Sequence, residues 1–259
     1  MTVAAARSRL AAFGAQALVV FGSGLAVLPH GAVVHDELAY VDLGWPCTAV
    51  RGHANVLRLV KVAGADSCAG TRLALACGRP HAYEGWPQAA LQHCVRDVVG
   101  LGVPHVVLTN SCGSLRAAVQ PGDVVVCDTV LDLQAAPSGP RPSSLPVCPQ
   151  RAAVAVAQAL ASGGPARTGT YVAVAGPQFE SPAEVAWLGR WGAVVGMSAA
   201  PEVRAAHDLG AEACLLALVV NRAAEVGSHD DVLVAGADAA GRLAAGLLPA
   251  LTARWPGLI

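Results

Sequence analysis

Residues 174–221 decide the fold, and they read VAGPQFESPAEVAWLGRWGAVVGMSAAPEVRAAHDLGAEACLLALVVN. Three short apolar runs in and just before this stretch have the length and composition of buried strands: residues 171–175, 193–197 and 214–220. The first run breaks at Gly176-Pro177, and Ser181-Pro182-Ala183-Glu184 then has the spacing of a helix capping box with proline at the first helical position. Strands that alternate with helices predict an α/β fold.

Each of these three strands is followed by a polar residue. Glu180 lies in the loop after the first run, Ser198 follows the second, and Asn221 follows the third. In open α/β sheets, ligands bind at the carboxyl ends of the strands. The sequence therefore predicts a ligand site to which all three residues belong.

The same alternation continues through the rest of the chain. Further strands are predicted at residues 17–21, 72–77, 103–108 and 124–127, and helices at 88–99, at 151–161 and from Asp230 to about Trp255. Residues 29–55 have no clear period, and the proline-rich residues 134–150 predict a loop. No repeat or linker divides the chain, so we expect one domain over residues 1–259.

Composition and charge favour a small-molecule ligand. Of the 259 residues, 54% are apolar and 14% charged, and the formal net charge is −1, so we expect no basic surface for nucleic acid or an anionic membrane. The eight cysteines form no CxxC pair, which is typical of reduced thiols in a cytoplasmic protein. No apolar run is long enough to span a membrane, and the run near the N-terminus ends in a glycine turn, so we expect a soluble, unexported protein.

Two stretches of small residues follow predicted strands. Gly22-Ser23-Gly24 is a tight turn whose backbone amides can approach an anion closely. A dinucleotide-binding fingerprint would need glycine where Val27 stands, which argues against that use of the turn. Residues 109–114, TNSCGS, could likewise let the backbone approach a ligand, or could be a plain polar exit from a strand.

Residues 78–86, GRPHAYEGW, concentrate several polar chemistries in one short segment. Arg79 and His81 alternate along an extended segment and can therefore point the same way. A guanidinium fork with a neighbouring imidazole donor suits a phosphate. A solvated loop with an ordinary arginine is the alternative that spacing alone leaves open.

Five separated motifs follow one another in a fixed order: GSGL at 22–25, GH at 52–53, GRPHAYEG at 78–85, AGPQFE at 175–180 with GMSAAPEV at 196–203, and Asn221 followed by HDDVL at 229–233. In content and order these motifs resemble the trimeric class of purine nucleoside phosphorylases. The resemblance covers roughly residues 15–240, and GRPHAYEG with GMSAAPEV is its most specific part.

The resemblance implies a twisted mixed β-sheet flanked by helices and phosphorolysis of a purine nucleoside to free base and ribose 1-phosphate. It implies no metal or organic cofactor, inorganic phosphate as co-substrate, and a homotrimer. Carried over by position, it assigns phosphate to Ser23, His53, Arg79, His81, Ser111 and Ser198, ribose to Tyr83, Met197 and His229, and the base to Phe179, Glu180 and Asn221. Asn221, Glu180 and His81 are the residues expected to act in catalysis.

The residue types agree with this chemistry. Cleavage of the C1′–N9 bond has an oxocarbenium-like transition state, so the nucleophile and the leaving purine must be held in line. Asn221 offers a donor and an acceptor for the N7 and O6 edge, and Glu180 can accept from N1–H, which favours inosine and guanosine. His229 favours a 5′-hydroxyl, since a 5′-alkylthio group would leave the imidazole unpaired.

The chain also departs from the family pattern. No Phe, Tyr or Trp occurs between Trp86 and Tyr171, where family members carry an aromatic residue that reaches the neighbouring subunit's site. Asn110-Ser111-Cys112-Gly113-Ser114 replaces the more usual Asn-Ala-Ala-Gly-Gly. These departures leave two alternatives open: a divergent member with another nucleoside, such as a 5′-methylthio nucleoside, or a weakly active nucleoside-binding subunit. Ser198 could also merely cap the helix that begins near Pro201.

Overall fold

Ten strands form one mixed sheet in a computed structural model, which describes residues 1–28, 31–62, 70–134, 143–147, 167–225 and 228–237. The strands are β1 (Ala17–Val20), β2 (Ala32–Ala39), β3 (Val56–Val62), β4 (Thr71–Cys77), β5 (His105–Ser114), β6 (Val124–Asp132), β7 (Ser143–Pro146), β8 (Arg167–Ala173), β9 (Val194–Gly196) and β10 (Glu212–Arg222). The helices are α1 (Val3–Phe13), α2 (Tyr40–Leu43), α3 (Gln88–Leu91), α4 (His93–Val99), α5 (Pro182–Leu188), α6 (Ala200–Asp208) and α7 (residues 229–237), with a 3₁₀ turn at Ala82–Glu84.

The sheet is partly closed on itself. Its order is β10-β6-β8-β9-β5-β1-β4-β3-β2, and β10 also pairs with β5, so that β5, β9, β8, β6 and β10 form a ring. The strands β1, β4, β3 and β2 extend from this ring as an open wing, and β7 pairs with β6. Parallel pairs such as β1–β5 and β5–β10 occur beside antiparallel pairs such as β3–β4. The predicted α/β class with a mixed sheet is thereby confirmed.

One edge of β5 contains an opening in the sheet. β10 pairs along one edge of β5, and on the other edge β1 pairs with residues 105–108 while β9 pairs with Gly113 and Ser114. Residues 109–112 therefore face the space between the carboxyl end of β1 and the carboxyl end of β9. Strand ends that diverge in this way leave room for a ligand beside the backbone.

Both faces of the central strands are buried. In β1, Leu18 and Val20 belong to one apolar cluster and Ala17 and Val19 to another on the opposite face. A continuous apolar run is what a parallel strand covered on both faces requires. The core thus fixes the ends of the strands, and with them the loops that follow.

Most predicted elements are confirmed with small shifts of their ends. The predicted strands at 17–21, 72–77, 124–127, 171–175, 193–197 and 214–220 correspond to β1, β4, β6, β8, β9 and β10. The capping box at Ser181 is present, with Ser181 Oγ accepting from the Glu184 amide and the Glu184 carboxylate accepting from the Ser181 amide. The predicted helix at 151–161 and the part of the C-terminal helix beyond residue 237 lie outside the described residues.

Four predictions were wrong. Residues 29–55 are not irregular throughout, because they contain β2 and α2; a register shift between Val34 and Asp36 interrupts the alternation of β2. Residues 109–114 are not a strand exit but the continuation of β5, which pairs with β10 along its whole length. The predicted loop 134–150 contains β7, and the predicted helix 88–99 is two helices that meet at Gln92.

The cysteines in the described residues are all free thiols: Cys47, Cys77, Cys94, Cys112, Cys127 and Cys214. Burial raises the pKa of the Cys77 thiol to about 11. Among the described residues, no helix is long and apolar enough to cross a membrane.

Candidate active site

A cleft of about 250 Å³ opens at the gap beside β5. It is lined by every predicted site residue except His53: Ser23, Arg79, His81, Tyr83, Ser111, Phe179, Glu180, Met197, Ser198, Asn221 and His229. We call the part formed by Ser23, Arg79, His81 and Ser198 the arginine end, and the part formed by Phe179, Glu180 and Asn221 the glutamate end. The placement agrees with the sequence-based assignment; the role of each residue stays a prediction.

Arg79 is the fixed centre of the arginine end. It follows β4 and is only 2% exposed. Its Nε donates to Glu202 Oε1 at 2.7 Å, and its Nη1 donates to the Thr109 carbonyl at 3.0 Å and to Ser198 Oγ at 3.3 Å. Its Nη2 is buried and has no hydrogen-bond partner among the described residues. A buried guanidinium held on one side and unsatisfied on the other is suited to an anionic ligand.

Ser198 lies between β9 and α6 and is turned toward Arg79. Its amide donates to the Tyr171 hydroxyl oxygen at 3.4 Å, and Ala199 after it has a φ of 69°, a left-handed conformation that alanine rarely adopts. The N-cap of α6 is Ala199, without a side-chain cap, so Ser198 does not cap this helix. Its hydroxyl accepts from Arg79 at the wall of the cleft.

Ser23 and His53 form a pair at the carboxyl end of β1. Ser23 Oγ and His53 Nε2 are 3.1 Å apart, and the His53 ring lies beside that of His81, with centroids 5.4 Å apart, so His53 supports two residues that line the cleft. Burial, together with the nearby His81 and Arg79, lowers the pKa of His53 to about 3. The imidazole is therefore neutral at physiological pH and positions the serine hydroxyl without adding charge.

The Ser23 turn is packed too tightly for larger residues. A Cβ on Gly22 would lie 2.7 Å from Asn110 Cα, so the turn can approach β5 only because glycine stands there. Ser111 Oγ donates to the Ser23 carbonyl at 3.1 Å and adds a side-chain link between the same two segments. Ser111, which makes this link, stands where the family pattern more usually has alanine.

His81 is oriented by Glu84, a residue that the sequence reading did not assign. The His81 amide donates to Glu84 Oε2 at 2.7 Å, and His81 Nδ1 lies 3.5 Å from the same oxygen. Burial alone would raise the pKa of Glu84, but hydrogen bonds from His81, Thr48 and Ala49 outweigh it and lower that pKa to about 2. The ionised carboxylate thus ties two loops together beneath His81.

Tyr83 continues this stack toward the middle of the cleft. Its ring stacks on that of His81 with centroids 4.9 Å apart, and burial raises its pKa to about 12. A Cβ on Gly176 would lie 2.4 Å from Met197 Sδ and 2.9 Å from the Tyr83 ring, which shows how closely these three residues meet. Together Tyr83 and Met197 give the cleft a largely apolar middle.

The glutamate end is more open. Phe179 is 41% exposed and Glu180 is half-buried in the loop between β8 and α5. Burial raises the pKa of Glu180. Asn221, near the end of β10, donates from Nδ2 to the Arg222 carbonyl at 3.0 Å, and its Oδ1 is not engaged by that bond.

His229 begins α7 and faces the cleft from the side of the Ser23 turn. Its Nε2 lies 3.0 Å from the Arg51 carbonyl, and Arg51 forms an ion pair with Asp230 at 2.7 Å. Leu233 of α7 packs so close to Gly52 that a Cβ there would lie 2.4 Å from its side chain. These contacts hold α7 against the loops at residues 22–24 and 51–53.

For two further buried polar residues at the site, the sequence predicts no role. Glu202 is 4% exposed and pairs with Arg79, and Asn110 is 2% exposed on β5 and lines the cleft. Glu202 lies within the GMSAAPEV motif. The sequence feature that could have identified it is an acidic residue among the buried apolar residues of α6. Among the described residues, no group of three or more His, Cys, Asp or Glu side chains could hold a metal ion.

Comparisons with known proteins bear on this site. A model of the phosphorylase superfamily matches residues 67–252. The purine nucleoside phosphorylase of Mycobacterium bovis is 34% identical over 244 residues, covering 92% of this chain and 85% of its own. The chain belongs to the purine nucleoside phosphorylase family.

Two more members of this family extend the comparison. Purine nucleoside phosphorylase 1 of Geobacillus stearothermophilus is 31% identical over 232 residues, covering 83% of this chain and 82% of its own. A Schistosoma purine nucleoside phosphorylase, solved in complex with hypoxanthine, has a TM-score of 0.76, 25% identity and 96% coverage of both chains. The chain is accordingly a pentosyltransferase of the purine-nucleoside phosphorylase class, with small-molecule substrates.

Proposed function

We propose that the enzyme cleaves 6-oxopurine nucleosides, inosine and guanosine, by phosphorolysis in the cleft beside β5. One observation carries the proposal. The cleft is lined by the buried, partly unsatisfied Arg79, by Tyr83 and Met197, and by Glu180 and Asn221. These three sets of residues suit phosphate, ribose and purine, and that is the order of the three groups when phosphate attacks a nucleoside.

At the arginine end, the free donors suit phosphate. Arg79 Nη2 is unsatisfied among the described residues, and the hydroxyls of Ser23 and Ser198 line the same part of the cleft. Glu202 balances the charge of Arg79 from behind, so the guanidinium keeps its orientation while its outer nitrogen binds the anion. Inorganic phosphate is the co-substrate that we propose, without a metal or organic cofactor.

At the glutamate end, the groups suit a 6-oxopurine. Glu180 as a carboxylate would accept from N1–H, and Asn221 would bond the N7 and O6 edge as negative charge builds on the departing base. Because burial raises the pKa of Glu180, the carboxylate gains most from a ligand that donates to it. The similar Schistosoma enzyme was solved with hypoxanthine, a base of this type.

The contact of His229 favours a sugar with a 5′-hydroxyl. A carbonyl oxygen only accepts, so His229 Nε2 must carry the proton in its bond to the Arg51 carbonyl. In the neutral ring Nδ1 is then an acceptor, which a hydroxyl can donate to and a 5′-methylthio group cannot. This observation favours inosine and guanosine over 5′-methylthio nucleosides.

The decisive experiment measures consumption of inosine by the purified protein with and without phosphate. We expect hypoxanthine and ribose 1-phosphate in equal amounts, only when phosphate is present, with guanosine also cleaved. Adenosine and 5′-methylthioinosine serve as matched controls that change only the 6-substituent or only the 5′-substituent. Release of hypoxanthine without phosphate, or faster cleavage of either control nucleoside, would contradict the proposal.

We propose in addition that the enzyme acts as a homotrimer in the cytoplasm. The free thiols support a reducing compartment. Phe179 at the mouth of the cleft, Trp187 and Trp191 are 41%, 49% and 56% exposed, which is unusual for large aromatic residues and is typical of surfaces that another subunit covers. Sedimentation equilibrium at micromolar concentration should give three times the mass of the chain; a monomer would refute the assembly.

A further inference from the structure

The amide of Asn110 is buried in the cleft without a partner. Asn110 is 2% exposed, and neither its Oδ1 nor its Nδ2 has a hydrogen-bond partner among the described residues. The residue nevertheless lines the cleft together with Ser23, Arg79 and Ser111. A buried amide that is left unsatisfied is costly, so proteins retain one where a ligand or an ordered water completes it.

A second asparagine of the same chain shows the ordinary arrangement. Asn55 Oδ1 accepts from the Thr48 amide at 3.0 Å, and Asn55 Nδ2 donates to the Thr48 carbonyl at 2.9 Å. The Asn55 amide is thus satisfied on both sides by one backbone segment and does not line the cleft. Asn110 and Asn55 have the same side chain, but only Asn55 has hydrogen-bond partners for its amide, and only Asn110 lines the cleft.

Asn110 belongs to the arginine end of the cleft. On one side of it in the chain, the Thr109 carbonyl accepts from Arg79; on the other, Ser111 Oγ donates to the Ser23 carbonyl. In the β5–β10 register, Asn221 stands opposite Gly113, three residues farther along β5, which is about 10 Å at the usual rise of a strand. Asn110 therefore stands beside the segments that hold Arg79 and Ser23, about three strand positions from the residue opposite Asn221.

We propose that Asn110 binds the phosphate and recognises its P–OH proton through a hydrogen bond. Hydrogenphosphate has charged oxygens that accept and one hydroxyl that donates, and an amide offers the complementary donor and acceptor in one side chain. Arg79 Nη2 can only donate. Asn110 Nδ2 would donate to a charged oxygen while Oδ1 accepts from the P–OH group. Sulfate, of the same shape but without a proton at neutral pH, lacks the donor.

This proposal rests on the proposed function, and it adds a specificity: the anion site prefers hydrogenphosphate to sulfate because of Asn110. The test is calorimetric titration of the nucleoside-free enzyme with sodium phosphate and sodium sulfate at pH 7.5. For the wild type we expect phosphate to bind about tenfold more tightly than sulfate, the effect of one well-placed hydrogen bond.

Asn110→Leu keeps the shape of the side chain and removes both the donor and the acceptor. We expect sulfate affinity to fall about threefold, because sulfate loses only the donor, and phosphate affinity to fall about thirtyfold, because phosphate loses the acceptor as well, so that the tenfold preference disappears. Asn110→Ser is the second variant, used if the leucine variant does not fold, and should shift the two affinities in the same direction. Asn55→Ser is the matched control, with a lower melting temperature and both anion affinities within about twofold of wild type.

The outcomes separate this proposal from the proposed function. A wild type that does not consume inosine with phosphate would overturn the proposed function first. A wild type that does so but binds both anions equally, or a folded Asn110→Leu or Asn110→Ser variant with unchanged preference for phosphate, would overturn the role of Asn110. An equal loss of affinity for both anions in the variants would overturn it too, because Asn110 would then not distinguish the protonated anion from the unprotonated one.

Discussion

At the arginine end of the cleft Arg79 and His81 are buried and already bonded to neighbouring groups of the chain, whereas at the glutamate end Phe179 is exposed and Glu180 and Asn221 are half-buried. Arg79, Glu202 and His81 are 2%, 4% and 7% exposed, and Arg79 and His81 are each anchored by a carboxylate. Phe179 is 41% exposed. Preorganised donors cost no rearrangement when charge arrives, so the arginine end is ready for phosphate before the nucleoside binds.

The two ends of the cleft differ in how much of their geometry is fixed by the chain itself. The arginine end derives its rigidity from strand ends and from ion pairs within the chain, such as Arg79 with Glu202. The glutamate end has fewer bonds within the chain, and the side chain of Phe179 is exposed. Substitutions at the arginine end should therefore alter phosphate parameters, and substitutions at the glutamate end nucleoside parameters.

The largest effect is expected for Arg79→Ala. It removes the fixed donor of the anion and leaves Glu202 as an unpaired buried carboxylate. We expect kcat/KM for phosphate to fall about 10³-fold, because charge-assisted bonds to a developing transition state are among the strongest. The melting temperature should fall as well. Steady-state kinetics with varied phosphate measure the loss, and an unchanged phosphate KM and kcat would remove Arg79 from the site.

The next effect in size is expected for Asn221→Ala. The substitution removes the amide that would stabilise negative charge on the leaving base, so kcat for inosine should fall about 10²-fold. Asn221 lies near the open end of β10, and its loss should alter the melting temperature little. Phosphate affinity of the nucleoside-free variant is the control and should stay at the wild-type value. Near-normal turnover of inosine would be evidence against base binding by this residue.

A smaller effect is expected for Phe179→Ala. The exposed ring can stack on a bound purine, and such stacking contributes about 1–3 kcal/mol per base, so KM for inosine should rise by about tenfold or more. Because the ring packs little within the chain, the free energy of unfolding should stay within about 0.5 kcal/mol of wild type. Kinetics and chemical denaturation measure the two quantities. A large loss of stability with unchanged KM would mean that Phe179 is a structural residue.

The smallest effect concerns His53 and the pH dependence of stability. The folded pKa is about 3, below the ordinary value of 6.5, so between these values the unfolded chain binds a proton that the folded chain does not. Stability is therefore lost as pH falls from about 6.5 toward 3, with a slope of up to about 1.4 kcal/mol per pH unit from this group. His53→Asn should lower the slope measured by denaturation between pH 4 and 6; an unchanged slope would contradict a neutral, buried imidazole.

Much of the fold could be predicted because apolar period and turn residues are local signals. The sequence predicts that this strand ends at Leu108, because residues 109–114 are small or polar, yet pairing with β10 along the whole of β5 outweighs their low strand propensity. In β2 the register shift beside His35 removes the alternation on which the prediction depends. Such tertiary pairing is not encoded in a short window of sequence.

The site also has a part that could be predicted from the sequence and a part that could not. Its lining residues lie in motifs that the family resemblance identifies, so they could be named from the sequence. The role of Glu202 could not be predicted, although the residue lies in the GMSAAPEV motif, because it pairs with Arg79 across 123 residues of chain. The unpartnered state of Asn110 is likewise visible only when its neighbours are in place.

The most direct test of the preformed arginine end is calorimetric titration of phosphate into the nucleoside-free enzyme. We predict saturable binding of one phosphate per chain without any nucleoside, and loss of that binding in Arg79→Ala. Phosphate that binds only after inosine or hypoxanthine has been added would contradict the account, since the arginine end would then be assembled by the nucleoside.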